Sequence, residues 1–137
     1  MFRELISKEI CMTKDLGLHG NLFGGIMLSY IDKVGAIYAC EQCVSDMLVT
    51  LSMDKVLFRK PIKVGDVLYF YGEVLKFGNS SISIKIDVFR KNITNHTDLE
   101  LACSTNIVFV KVDDNGKSCK IESPNKDLFN KQEKGVD

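Results

Sequence analysis

The chain has 137 residues, of which 45% are hydrophobic and 26% charged, with Lys plus Arg and Asp plus Glu balanced at 18 each. That composition fits one globular domain with room for a core and excludes a disordered chain. The missing basic excess argues against a partner made of nucleic acid, and no uninterrupted apolar run is long enough to span a membrane as a helix.

The amino-terminal segment lacks the apolar centre of a signal peptide. Five cysteines, an odd number without regular spacing, read as free thiols in a reducing compartment, so the expected location is cytoplasmic. Cys40 and Cys43 form a C-x-x-C, but no second pair or spaced histidines complete a zinc site. No metal is therefore expected.

Residues 2–12 alternate loosely, with Phe2, Leu5, Ile6 and Ile10 apolar, and read as a first strand. Residues 13–20 form a loop. From His19 to Cys40 the chain passes from turn-formers into a long apolar run without period-2 alternation. A buried helix fits this run better than a strand. It is expected to start near Phe23 or Gly24, to end near Glu41 or Cys43, and to be capped by Asn21. Strands follow at residues 47–58, 67–77, 81–89 and 99–112. The third of these is the clearest, with Ile82, Ile84, Ile86 and Val88 on one face and Ser83, Lys85 and Asp87 on the other. Residues 92–98 form a polar turn.

Short turns predict antiparallel neighbours, and one helix can cover only one face of the sheet. The expected fold class is α+β: a curved five-stranded antiparallel sheet wrapped around one long helix. Residues 1–122 form the domain, and 123–137 are a polar tail or short surface helix. Because the helix is apolar on nearly every side, a second subunit is expected to complete its burial.

Asp32 stands in the middle of that helix. Its neighbours at three and four residues are Leu28, Ser29, Gly35 and Ala36, a face of small residues that continues to Gly25 and Ala39. A partly desolvated carboxylate there would be sharpened as a base. The first turn of a helix leaves N–H groups without partners, and Gly24 and Gly25 would leave those donors accessible to a developing oxyanion. A base and an oxyanion site are what acyl transfer to water requires. Asp32 lies two turns from Gly25, about 10 Å along the axis, so one helix cannot present both to one carbonyl. Two facing copies could.

Asn21-Leu22-Phe23-Gly24-Gly25 followed by Tyr30-Ile31-Asp32 resembles the hot-dog acyl-CoA thioesterases, specifically the short bacterial YciA-type hydrolases related to the brain-type cytosolic enzyme. The segments 49–54, 58–61, 64–66 and 78–82 resemble the family's later motifs in the same order. The resemblance implies a hot-dog fold and a dimer with one continuous sheet, often within a hexamer built as a trimer of dimers. It implies an acyl-CoA substrate hydrolysed to a free acid and CoA, with no cofactor required beyond the CoA of the substrate. Asp32 matches the catalytic carboxylate, either general base or nucleophile. The Gly25 amide matches the carbonyl donor from the opposing subunit, and Thr50 a residue that positions water. Gly24 and Asn21 complete the candidate catalytic set.

Arg59, Lys60, Asn79, Ser80 and Ser81 are candidate CoA contacts, with solvated charges and a solvated turn as the alternative reading. Gly17 stands where many relatives carry an asparagine, and His19 reads as a loop residue. The alternative function is a non-catalytic acyl-CoA-binding or sensing hot-dog protein. A dehydratase would call for a His-x-Phe-Pro-Gly-His pattern that the chain lacks.

Overall fold

A computed structural model describes residues 3–95 and 98–134. Phe2, two residues of the expected polar turn and the last three residues of the tail lie outside that range. The elements are β1 (Glu4–Ile10), α1 (Gly24–Cys43), β2 (Leu48–Phe58), β3 (Asp66–Phe77), β4 (Ser81–Asn92), β5 (Glu100–Lys111) and α2 (Pro124–Lys134), with one 3-10 turn at Thr13–Asp15. The five strands form one antiparallel sheet in the order β1-β3-β4-β5-β2. Register shifts interrupt every ladder, twice in the β2–β5 pair. Such bulges bend strands and strengthen their twist, and the sheet curves around α1.

The alternation in β4 sets the inner face. Ile82, Ile84, Ile86 and Val88 are all fully buried, together with Leu68 and Phe70 of β3 and Ile107 and Phe109 of β5. Each such side chain contributes about 1.5–3 kcal/mol when fully buried. Met27, Ile31, Val34, Tyr38, Ala39 and Cys43 of α1 pack onto this face. Gly35 lets the helix approach closely, since a Cβ there would stand 3.0 Å from Ile107 Cδ1 and 3.4 Å from Ile84 Cδ1.

Two expectations need correction. Asn21 does not cap α1. Phe23 is the N-cap, in extended conformation and without a side-chain cap bond, while Asn21 Oδ1 accepts from Lys63 Nζ. The second concerns β2 and β3, which follow one another through a short connection but are not neighbours. β2 pairs with β5 at the sheet edge and β3 lies between β1 and β4. The connection instead runs past the amino end of α1, where Leu22 N donates to Ile62 O at 2.8 Å.

The polar segment after Glu122 folds as α2. Ser123 Oγ caps it by accepting from Lys126 N at 3.0 Å, with Pro124 at its first position. The same hydroxyl donates to Gln42 O at 2.9 Å, and Phe129 meets Phe77 edge-on at 5.7 Å. α2 is thereby fastened to the carboxyl end of α1.

Two buried carboxylates fix the loops that flank the helix start. Asp66 has no exposed surface. It accepts from Arg90 Nη1 at 3.0 Å, Lys63 N at 2.9 Å and Asn92 Nδ2 at 3.4 Å. Asp15 is 3% exposed and accepts from Met12 N at 3.0 Å, Tyr30 OH at 3.2 Å and Lys14 Nζ at 3.3 Å. The Met12 amide above all, and Lys14 after it, hold the Asp15 carboxyl below the usual carboxylate range against the opposing effect of burial.

Replacing Asp66 by Ala should lower the urea midpoint, costing about 3 kcal/mol, because the half-buried Arg90 guanidinium is left with Glu100 alone at 3.5 Å and the Lys63 amide loses its acceptor. An unchanged midpoint at equal protein concentration would show the network to be dispensable. Asp15 stabilises the fold through its ionised form. Its contribution is therefore complete above the ordinary value of 3.8 and lost as pH falls below it. The stability advantage of the wild type over Asp15→Asn should be constant through neutral pH and shrink in acid. An advantage that grew in acid would contradict this.

Candidate active site

The residues before α1 form a tight loop. Leu16 bridges Leu22, Gly17 N donates to Asn21 O at 2.8 Å, and Gly20 N donates to Gly17 O at 3.2 Å. Gly20 has φ +76°, which favours glycine. Phe23 N donates to Asp15 O at 2.9 Å, and Phe23 O accepts from both Ile26 N and Met27 N. The Gly24 and Gly25 amides come next, and neither has an acceptor among the described residues. Gly25 is exposed. A Cβ on it would stand 2.9 Å from Phe23 Cε2, so any side chain there would displace the ring beside the donor.

Two turns further along the helix, Asp32 is half-buried. Its Oδ1 accepts from Thr50 Oγ1 at 2.7 Å. Thr50 is on β2, the edge strand, so the pair lies where the open side of the helix meets the open edge of the sheet. The hydroxyl occupies one carboxylate oxygen and leaves Oδ2 with its lone pairs free to take a proton.

A cleft of about 300 Å³ opens at the amino end of α1, lined among others by Asn21, Gly24, Phe58, Arg59, Lys60 and Ile62. It gathers four of the sequence candidates in one place. Asp32 and Thr50 are not part of its wall. Lys60 Nζ lies 3.8 Å from Glu100 Oε2 on the cleft rim.

Asn79, Ser80 and Ser81 sit elsewhere, the first two in the turn between β3 and β4 and Ser81 at the start of β4. Asn79 O accepts from Ile121 N at 2.9 Å and Lys126 Nζ at 3.4 Å, which ties that turn to α2 and the carboxyl end of α1. Within one protomer the five candidate CoA contacts therefore fall into two groups at opposite ends of the helix.

The residue that sequence reasoning missed is Asp15. Its signal was an acidic residue three positions after Met12, the spacing of a capping interaction. Its contact with Tyr30 is fifteen residues away and left no local trace. Burial, followed by the Asp15 charge, pushes the Tyr30 hydroxyl up and keeps it a neutral donor.

The cysteines are free thiols. Burial pushes Cys43 up to about 11 and raises Cys40 as well, so the C-x-x-C is a poor nucleophile at neutral pH. Among the described residues no cluster of three His, Cys, Asp or Glu could hold a metal. No described helix is long and apolar enough to cross a membrane. An oriented carboxylate and open helix-terminal amides suit attack of water on an acyl carbonyl.

Known proteins point the same way. The model of the thioesterase superfamily matches residues 19–95. An uncharacterized acyl-CoA thioester hydrolase of Haemophilus influenzae is 39% identical over 123 residues, covering 88% of this chain and 79% of its own. The acyl-CoA thioester hydrolase YciA of Salmonella typhimurium is 34% identical, covering 83% of this chain and 86% of its own. Among solved structures, a hexameric thioesterase of Yersinia pestis is 36% identical with a TM-score of 0.81, covering 88% of this chain and 96% of its own. The curved five-stranded sheet around α1 is the hot-dog fold of such structures, and the chain belongs to the thioesterase superfamily.

Proposed function

We propose that this protein hydrolyses the thioester of an acyl-CoA to a free carboxylic acid and CoA. The observation that carries the reading is the Asp32–Thr50 pair at 2.7 Å on a helix that begins with two open glycine amides. Asp32 acts as general base. Its free oxygen takes a proton from water as the water oxygen attacks the carbonyl carbon. Thr50 keeps the carboxylate oriented. The carbonyl oxygen gains negative charge and is held by the Gly25 N–H, one such donor being worth about 3 kcal/mol. Collapse of the tetrahedral intermediate expels the CoA thiolate.

Both groups belong to one reaction centre only if two protomers share it, because about 10 Å of helix separates them in one chain. The exposed surface favours this. Ile37 on α1 and Val49, Leu51, Leu57 and Phe58 on β2 keep between 48% and 67% of their surface exposed. An apolar edge strand of that kind pairs with another edge. Antiparallel pairing of two β2 strands would bring the Asn79–Ser81 turn of one protomer toward the Arg59–Lys60 cleft of its partner, reuniting the candidate CoA contacts. Three such dimers would give the hexamer found in the Yersinia pestis and Campylobacter jejuni thioesterases. No cofactor is needed beyond the CoA of the substrate, and the free thiols suit the cytoplasm.

A thiol-release assay across acyl-CoAs of increasing chain length should show turnover. Asp32→Asn should lower kcat by about 10²–10⁴-fold while CoA affinity stays unchanged. CoA binding without release from any acyl chain would overturn hydrolysis, and an unchanged kcat in the variant would remove Asp32 from the mechanism. Light scattering should give six times the 15.4 kDa chain mass. A monomer mass would rule out a shared site.

A further inference from the structure

We propose that Asp15 is a positioning residue for this reaction: it clamps the entry loop to α1 and so sets the Gly24 and Gly25 amides against the substrate carbonyl. The inference rests on the hydrolase reading above.

Asp15 reaches α1 at two points. Its backbone carbonyl accepts from the N–H of Phe23, the N-cap residue. Its carboxylate accepts from the hydroxyl of Tyr30, nearly two turns into the helix. The Gly24–Gly25 step lies between these two anchors. Tyr30 is fixed in turn by the core, its ring edge-on to Phe70 at 6.4 Å. The side chain also ties down the backbone ahead of it, through Met12 N.

Leu22 N on Ile62 O and Lys63 Nζ on Asn21 Oδ1 hold the loop from the β2–β3 connection, but among the described residues only Asp15 joins the loop ahead of the donors by a hydrogen bond to the helix body beyond them. The loop between Asp15 and Phe23 carries glycines at 17 and 20, and the Phe23 ring lies against bare glycines on two sides, Gly17 and Gly25. A substitution at Asp15 leaves the backbone bond from Phe23 N in place and removes the carboxylate anchor on Tyr30 and Met12, so the helix start would shift by fractions of an ångström without unfolding. An oxyanion donor is sensitive to such shifts, and a misplacement of about 1 Å can cost on the order of 10²-fold in rate. Asp15 does not line the cleft at the amino end of α1, so its loss should reach turnover and not CoA binding.

The hydrogen bonds suggest a clean rescue. Oδ2 alone serves both Met12 N and Tyr30 OH, and among the described residues Oδ1 meets only the exposed Lys14. An asparagine can keep both Oδ2 bonds through its carbonyl oxygen while Lys14 swings into solvent. A merely charged role would not survive that exchange.

The experiment measures kcat, KM and CoA inhibition for wild type, Asp15→Ala, Asp15→Asn and Tyr30→Phe, with folding checked by circular dichroism at the assay temperature. Asp15→Ala should lose on the order of 10²-fold in kcat with KM and CoA inhibition unchanged. Asp15→Asn should return most of that loss, and Tyr30→Phe should fall between the two. Should Asp15→Ala fail to fold, Tyr30→Phe decides alone, and a wild-type kcat in it overturns the clamp. The clamp is equally overturned if folded Asp15→Ala turns over normally, if Asp15→Asn is as slow as Asp15→Ala, or if CoA inhibition weakens in step with kcat. A wild type that releases no thiol overturns the hydrolase reading and the clamp with it, whereas an active wild type with a fully active Tyr30→Phe strikes only the clamp.

Discussion

A sheet can bury only one side of a helix, and α1 is apolar on more sides than one. Packing against β3, β4 and β5 accounts for Met27, Ile31, Val34 and Tyr38, and the close approach at Gly35 presses the helix into the curve of the sheet. The remaining side, with Ile37, faces out beside the free edge of β2. Asp32 lies on the margin between these two sides, half-buried, with Thr50 of the edge strand donating to it. The proposed chemistry therefore sits on the surface that the fold leaves incomplete. Association of protomers and formation of the site become one event in this account. In the proposed dimer an edge strand that would otherwise invite aggregation becomes the interface.

Much of this was legible in the sequence. The β4 pattern gave the inner face residue by residue, because period-2 alternation over Ile82, Ile84, Ile86 and Val88 has no other folded reading. The length and high hydrophobicity of residues 24–43 marked a buried helix, and the carboxylate in its middle, Asp32, stood out. What escaped were relations over distance. The short β2–β3 connection suggested paired neighbours, yet the chain uses it to pass the amino end of α1, and only backbone contacts such as Leu22 to Ile62 reveal that path. Asn21 had the composition of a cap, but the helix starts later, with Phe23 at the N-cap and its N–H donating to the Asp15 carbonyl. Arg59 and Lys60 could be grouped with Asn79, Ser80 and Ser81 by chemistry alone. Their separation along the helix is a matter of topology, which a linear pattern does not carry.

Gly17 shows how the loop manages without a side chain at a position where the motif resemblance implies an asparagine. A Cβ on Gly17 would stand 3.0 Å from Phe23 Cδ1. The ring of the N-cap residue has taken the space beside that position, and the same ring borders Gly25. Beside that ring the polar contacts are backbone ones: Gly17 N to Asn21 O, Phe23 N to Asp15 O, and the open amides of Gly24 and Gly25. Substrate polarisation in this account comes from helix-terminal N–H groups, and base strength from one carboxylate on a different protomer.

That division of labour can be measured by subunit mixing. Gly25→Pro removes the donor, and displaces the Phe23 ring of the same protomer, at a first-turn position where the helix backbone tolerates proline, and Asp32→Asn removes the base. Each variant alone should be inactive. Unfolding and refolding the two together in equal amounts makes half of the dimers mixed, and each mixed dimer holds one intact site of two. The mixture should then regain about a quarter of wild-type activity. A mixture as inactive as its components would contradict a site shared between protomers.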